Sequence, residues 1–71
     1  MSDGMTIKVN GVARPLTGAS IAVLLVEEGI MAEARGVAVA RNGAVVLRRL
    51  WPETQLEAGD EIEIIKAVAG G

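Results

Sequence analysis

Ser20-Ile21-Ala22-Val23-Leu24-Leu25-Val26-Glu27-Glu28-Gly29 decides the fold, because it is the one long stretch with helical texture and the sequence on both sides reads as strand. Ser20 is a good N-cap, since its hydroxyl can accept from a first-turn backbone N–H, and Gly29 stands where a left-handed C-terminal cap belongs. Ile21, Leu24, Leu25 and Glu28 recur at spacings of three and four and share a face, so the three apolar ones can lie on a sheet. Val23 and Val26 widen the apolar stripe. The β-branched residues lower the intrinsic helix propensity, so packing has to hold this helix.

Upstream, Met5-Thr6-Ile7-Lys8-Val9 alternates apolar and polar, Asn10-Gly11 supplies two residues that tolerate positive φ, and Val12-Ala13-Arg14 resumes an extended pattern. This predicts a β-hairpin. Downstream, Val37, Val39 and Arg41 share one face of a strand, Asn42-Gly43 turns, and Ala44-Val45-Val46-Leu47 returns as a second hairpin. Ile30 to Arg35 is left irregular, and Met1 to Gly4 is read as a frayed start. Pro52, after Trp51, is expected to break the extended run, and Leu56 with Ala58-Gly59-Asp60 makes the turn that launches Glu61 to Lys66 as the last strand. One helix among five short extended segments predicts an α+β layer fold, a mixed sheet curling across the helix.

With 71 residues the chain makes one domain, and at that size only about 60% of the unfolded surface can be buried. The apolar share of 51% is too high for a disordered chain, and Trp51 is the only aromatic residue, which suits a core filler better than a ligand platform. Cysteine and histidine are both absent. That removes disulfides, thiolate zinc sites, thioesters, Cys nucleophiles and the commonest general base at neutral pH, and it fits a reducing cytoplasm. A formal charge of −2 argues against nucleic acid as a partner, because such binding is driven by counterion release around basic residues. The longest apolar run, Ile21 to Val26, is far shorter than the ~20 residues a membrane helix requires.

The final strand leads directly into Ala67-Val68-Ala69-Gly70-Gly71. Four extended residues, Val68 to Gly71, would carry an α-carboxylate roughly 13 Å from the folded body at ~3.3 Å per residue. Glycine lacks Cβ, so Gly70 and Gly71 could pass a narrow slot and bring the terminal carbonyl carbon against a reacting group. Glycine-rich chain ends are also common and inconsequential. The context favours function, since a strongly patterned strand runs almost to the end and the body has no His, Cys or Tyr with which to do chemistry. The chain reads as a substrate.

Ile7-Lys8-Val9-Asn10-Gly11, Ser20 to Leu25, Val37 to Gly43 with Val45-Val46, Arg49-Leu50-Trp51, Leu56 to Ile64 and the closing Gly70-Gly71 together resemble the ubiquitin-like (β-grasp) sulfur carrier proteins, most closely those of thiamine biosynthesis (the ThiS type). Leu47 and Pro52 depart from the expected form, and neither touches the tail. The resemblance implies a β-grasp domain over residues 1–67, with four to five strands over one main helix, and a flexible diglycine tail over 68–71. It further implies that the chain is not an enzyme and binds no cofactor or metal of its own. A ThiF-type adenylating enzyme would use ATP and magnesium to convert the Gly71 carboxylate to an acyl-adenylate, with Gly70, Ala69 and Val68 threaded into its active site. Sulfur originating from a cysteine desulfurase would then give a thiocarboxylate, which thiazole synthase consumes to build the thiazole ring of thiamine. Rival readings are the sulfur carrier of molybdopterin synthesis, a protein modifier joined to target lysines through Gly71, and an interaction domain whose tail has no role.

Two further features stand out. Ile65 falls on the side of Glu61 and Glu63 in a period-two strand, which suggests either a partner-docking patch with Ala67 and Val68 or a strand buried on both faces. Five acids and no base lie between Glu53 and Glu63, predicting a negative surface that is either simply solvated or steers the chain toward a basic cleft. Arg48 and Arg49 could pair with these acids or meet a partner. Glu27-Glu28 and Glu61-Glu63 are carboxylate pairs without an imidazole partner, and so are improbable acid/base or metal sites.

Overall fold

The computed structural model describes residues 5–31 and 35–66. The expected frayed start (residues 1–4), part of the irregular stretch after Ile30 (32–34), and Ala67 to Gly71 lie outside them. Among the described residues, five strands, one α-helix and one 3-10 helix follow in the order β1 (Thr6–Val9), β2 (Val12–Pro15), α1 (Ile21–Glu27), β3 (Val37–Arg41), β4 (Ala44–Val46), η1 (Arg48–Glu53) and β5 (Glu61–Lys66). The strands form a single mixed sheet in the order β2-β1-β5-β3-β4. Only the central β1–β5 pairing is parallel.

Both predicted hairpins form, and both turn on the expected dipeptides. Asn10 and Gly11 have φ of 51° and 84°, Asn42 and Gly43 φ of 52° and 87°. Positive φ at both central residues defines the turn whose twist matches that of the flanking strands. The register then follows, Val9 opposite Val12 and Arg41 opposite Ala44.

The Ser20 hydroxyl accepts from the Val23 N–H at 3.3 Å. At the other end the chain passes through Gly29 at φ +81°, while the Gly29 N–H reaches the Val26 carbonyl and the Ile30 N–H reaches the Leu25 carbonyl, both at 2.9 Å. This pair of reversed bonds is a Schellman motif, and its usual apolar contact is present in kind, since Leu25 and Ile30 are both buried. Ile30 lies beyond α1 in irregular backbone, as expected, and its bond to the Leu25 carbonyl ties it to the end of the helix. Seven residues of helix would be marginal alone, so burial of Ile21, Leu24 and Leu25 against the sheet stabilises it. Val23 and Val26 do not widen the packed stripe as expected; they are 47% and 62% exposed, because the sheet covers a narrower arc of so short a helix.

The core joins those helical residues to Ile7, Val9, Val39, Ile62 and Ile64 from the sheet and to Trp51 and Leu56 from the connection. Ile21, Ile62 and Val39 are almost completely buried, each burial being worth about 1.5–3 kcal/mol. The region around Trp51 differs from expectation. The extended run ends at Leu47, before the proline, and Arg48–Glu53 coils into a 3-10 helix that contains Pro52. A short 3-10 helix loses few i→i−3 bonds to a proline, and its tight turn swings Trp51 beneath α1. The indole Nε1–H donates to the Val46 carbonyl at 3.0 Å, tying η1 to the edge strand as well as filling the core.

Candidate functional site

The predicted site residues Gly71, Gly70, Ala69, Val68 and Ala67 lie outside the described residues, so the described part of the site is its base, β5 and the face it shares. Strand β5 is the hub of the sheet, running parallel to β1 on one side and antiparallel to β3 on the other. Its alternation is strict over Glu61 to Ile64, with Ile62 and Ile64 buried under α1 and Glu61 and Glu63 on the open face. Ile65 shares that open face and is 54% exposed. Of its two sequence readings, burial on both faces is not met, because among the described residues the helix layer covers only the side of Ile62 and Ile64.

Next to Ile65 the open face is apolar, since Ala38 lies opposite it on β3 and is exposed; Val45 on β4, 73% exposed, stands one row back, in line with Ala40 and Glu63. Toward the start of β5 the same face turns polar, where Glu61, Glu63 and Lys8 surround an open hollow of about 400 Å³ flanked by the turn glycines Gly11 and Gly43. The open face thus has a charged end at the hairpin turns and an apolar end where the chain leaves toward Gly71.

The side chains of Asp60, Arg41, Asn42 and Asn10 fix β5 through hydrogen bonds, a role that sequence reasoning did not assign to any of them. Asp60, expected to join a negative surface, is instead buried at 5% exposure. Its carboxylate accepts from Arg41 Nε at 2.9 Å, Asn42 Nδ2 at 3.1 Å and the Glu57 N–H at 2.9 Å. Burial pushes the carboxyl pKa up, but the bonds from Glu57, Asn42 and Arg41, with the Arg41 charge, outweigh it and hold it below the ordinary value. The base found on these acids is Arg41, which also reaches Glu57 at 3.5 Å. Arg48 lies over the Trp51 ring, 4.7 Å from its centroid.

The asparagines of both turns do a second job. Asn42 Oδ1 accepts from the Glu61 N–H at 2.9 Å, and Asn10 Oδ1 accepts from the Ile64 N–H at 2.8 Å. Each turn is thereby fastened to β5. A sequence hint existed in the choice of Asn-Gly over Gly-Gly at both turns, but only the strand order shows which N–H groups lie within reach. Among the described residues, no three His, Cys, Asp or Glu side chains cluster to hold a metal ion, and no helix is long and apolar enough to cross a membrane.

The ThiS family model matches residues 7–71. The chain belongs to the ThiS family. A sulfur carrier protein ThiS from Thermus thermophilus is 36% identical over 63 residues, covering 89% of this chain and 95% of that one. Among solved structures, the crystal structure of a ThiS thiamine biosynthesis protein from Geobacter metallireducens superposes with a TM-score of 0.74 at 30% identity, covering 94% of this chain and all of that one. The solution structure of a thiamine biosynthesis protein from the same organism gives 0.73 at 30% identity, covering 94% and 88%. The fold is therefore the β-grasp of ThiS proteins, with five strands in its mixed sheet.

Proposed function

We propose that this ThiS-family chain carries sulfur for thiamine biosynthesis on the carboxylate of Gly71. An adenylating enzyme of the ThiF type joins that carboxylate to the AMP portion of ATP, with magnesium assisting and pyrophosphate leaving. A carboxylate is a poor electrophile and its adenylate a good one. The outer sulfur of a persulfide charged by a cysteine desulfurase attacks the acyl carbon and AMP leaves; a thiol reductant then cleaves the S–S bond of the resulting acyl disulfide to leave a thiocarboxylate, and thiazole synthase takes up the sulfur. The carrier contributes no acid or base, so acceleration comes from positioning and electrostatics in its partners.

The observation that carries this reading is the family match extending through Gly70 and Gly71. The open face of the sheet supports it, since Ile65 and Ala38 pair as exposed apolar residues at the end of β5, next to Lys66. In this reading the surface docks the partner while Val68, Ala69 and Gly70 enter its active site, and Ala67 extends the docking surface. The test is an intact-mass measurement after incubation with the adenylating enzyme, ATP and a sulfur donor. Replacement of one oxygen by sulfur on Gly71 is expected. An unchanged mass overturns the reading, and conjugates of higher mass in cell extracts would indicate a protein modifier instead.

A further inference from the structure

The sheet protects two of its edges and leaves a third lane open. Strand β2, at one edge, ends in Pro15, and β4, at the other, has three residues; both devices discourage pairing with another chain. The third lane lies inside the sheet. The β1–β5 ladder consists of Lys8 opposite Glu61 and Val9 opposite Ile62, with the Lys8 N–H bonded to the Asp60 carbonyl and the Asn10 N–H to the Ile62 carbonyl, both at 2.9 Å. After Asn10 the chain turns back into β2, yet β5 runs on to Lys66, held on its other side by β3 as far as Val37 opposite Lys66.

The alternation of a strand decides which groups face the vacated lane. Residues 60 and 62 of this segment bond toward β1, so 64 and 66 face the same side, while 61, 63 and 65 face β3. The Ile64 N–H is taken by Asn10 Oδ1. That side chain stands in for the next residue β1 would have supplied and closes the ladder. Beyond it the Ile64 carbonyl and the Lys66 N–H and carbonyl face a lane with no strand among the described residues.

We propose that an extended segment of the enzyme that adenylates Gly71 pairs with β5 in this lane through main-chain hydrogen bonds, with Asn10 fixing where the pairing begins. The inference rests on the carrier reading. Residues 67–71 follow Lys66 directly in the sequence, so a protein that holds the tail meets this edge next to it. Main-chain pairing grips a strand whatever its side chains are. It therefore suits a tail whose reactive end is made of glycine.

The test compares Lys66→Pro with Lys66→Ala in the full chain. Proline removes the N–H that faces the lane and leaves the β3 ladder intact, whereas alanine removes only the side chain. In adenylation assays, read as pyrophosphate release, Lys66→Pro should raise the KM for the carrier about fivefold to tenfold, the worth of one hydrogen bond, and Lys66→Ala should stay within about twofold. Equal KM values for the two variants overturn the proposal. If Lys66→Pro proves unfolded, amide exchange in the unaltered chain decides, with the Lys66 N–H slowed by the enzyme if the proposal holds and unaffected if it fails. An unaltered chain that is never adenylated overturns the carrier reading itself, and the strand-pairing proposal falls with it.

Discussion

Asn10 Oδ1 accepts a hydrogen bond from the Ile64 backbone N–H at 2.8 Å, across 54 positions of sequence. It couples the first turn of the molecule to the strand from which the tail departs. Asn10 also holds φ at 51°, so one residue meets a local and a long-range demand together. Asn10→Gly keeps the backbone conformation and loses the acceptor. It should lower stability by about 1–2 kcal/mol, the cost of one partly buried unsatisfied N–H, and by roughly 4–8 °C in Tm for each kcal/mol. Asn10→Asp keeps an acceptor and should lose much less. Thermal unfolding of the two variants checks this, and equal losses would mean that the side chain bonds to no advantage.

Asp60 makes stability depend on pH. Its folded-state pKa is lowered, so its contribution is fully present above the unfolded value of about 4 and fades as pH falls through the folded value. Urea unfolding at a series of pH values should show stability falling below about pH 4. Asp60→Asn presents an amide N–H₂ where Arg41 needs an acceptor. It should cost about 2–4 kcal/mol at neutral pH and flatten the acid limb. An unaltered acid limb in that variant would assign the effect to other carboxylates.

Ile65→Asp separates docking from folding. Ile65 is half exposed on the open face, so the substitution should shift Tm by no more than a few degrees. In a titration calorimeter it should weaken binding to the adenylating enzyme by tenfold or more, because a charge would be desolvated against an apolar surface. Binding equal to that of the unaltered chain would remove Ile65 from the interface.

Trp51 tests the connection between β4 and β5. Trp51→Phe keeps most of the apolar bulk and loses the bond to the Val46 carbonyl, for an expected loss of about 1–2 kcal/mol. Trp51→Ala opens a cavity under α1 and should cost about 3–5 kcal/mol. In a domain this small that is enough to populate the unfolded state at 37 °C, visible as lost amide-exchange protection in α1.

Local chemistry was legible in the sequence. Asn-Gly pairs specify their turns through positive φ, Ser20 and Gly29 delimit the helix through orphaned backbone groups, and period-two alternation identifies the buried face of β5. Each depends on neighbours a few residues apart. Tertiary structure decided what those local choices could not reach. The sequence ranked Asp60 among surface acids, yet the sheet order brings Arg41 and Asn42 onto its carboxylate and buries it. Ile65 had two readings until the one-sided helix layer left it exposed. The lane beside Lys66 exists because β1 turns back before β5 ends, a consequence of strand pairing between residues more than fifty positions apart. Hydrogen bonds and burial over such separations depend on which strands become neighbours, and that is a property of the assembled sheet.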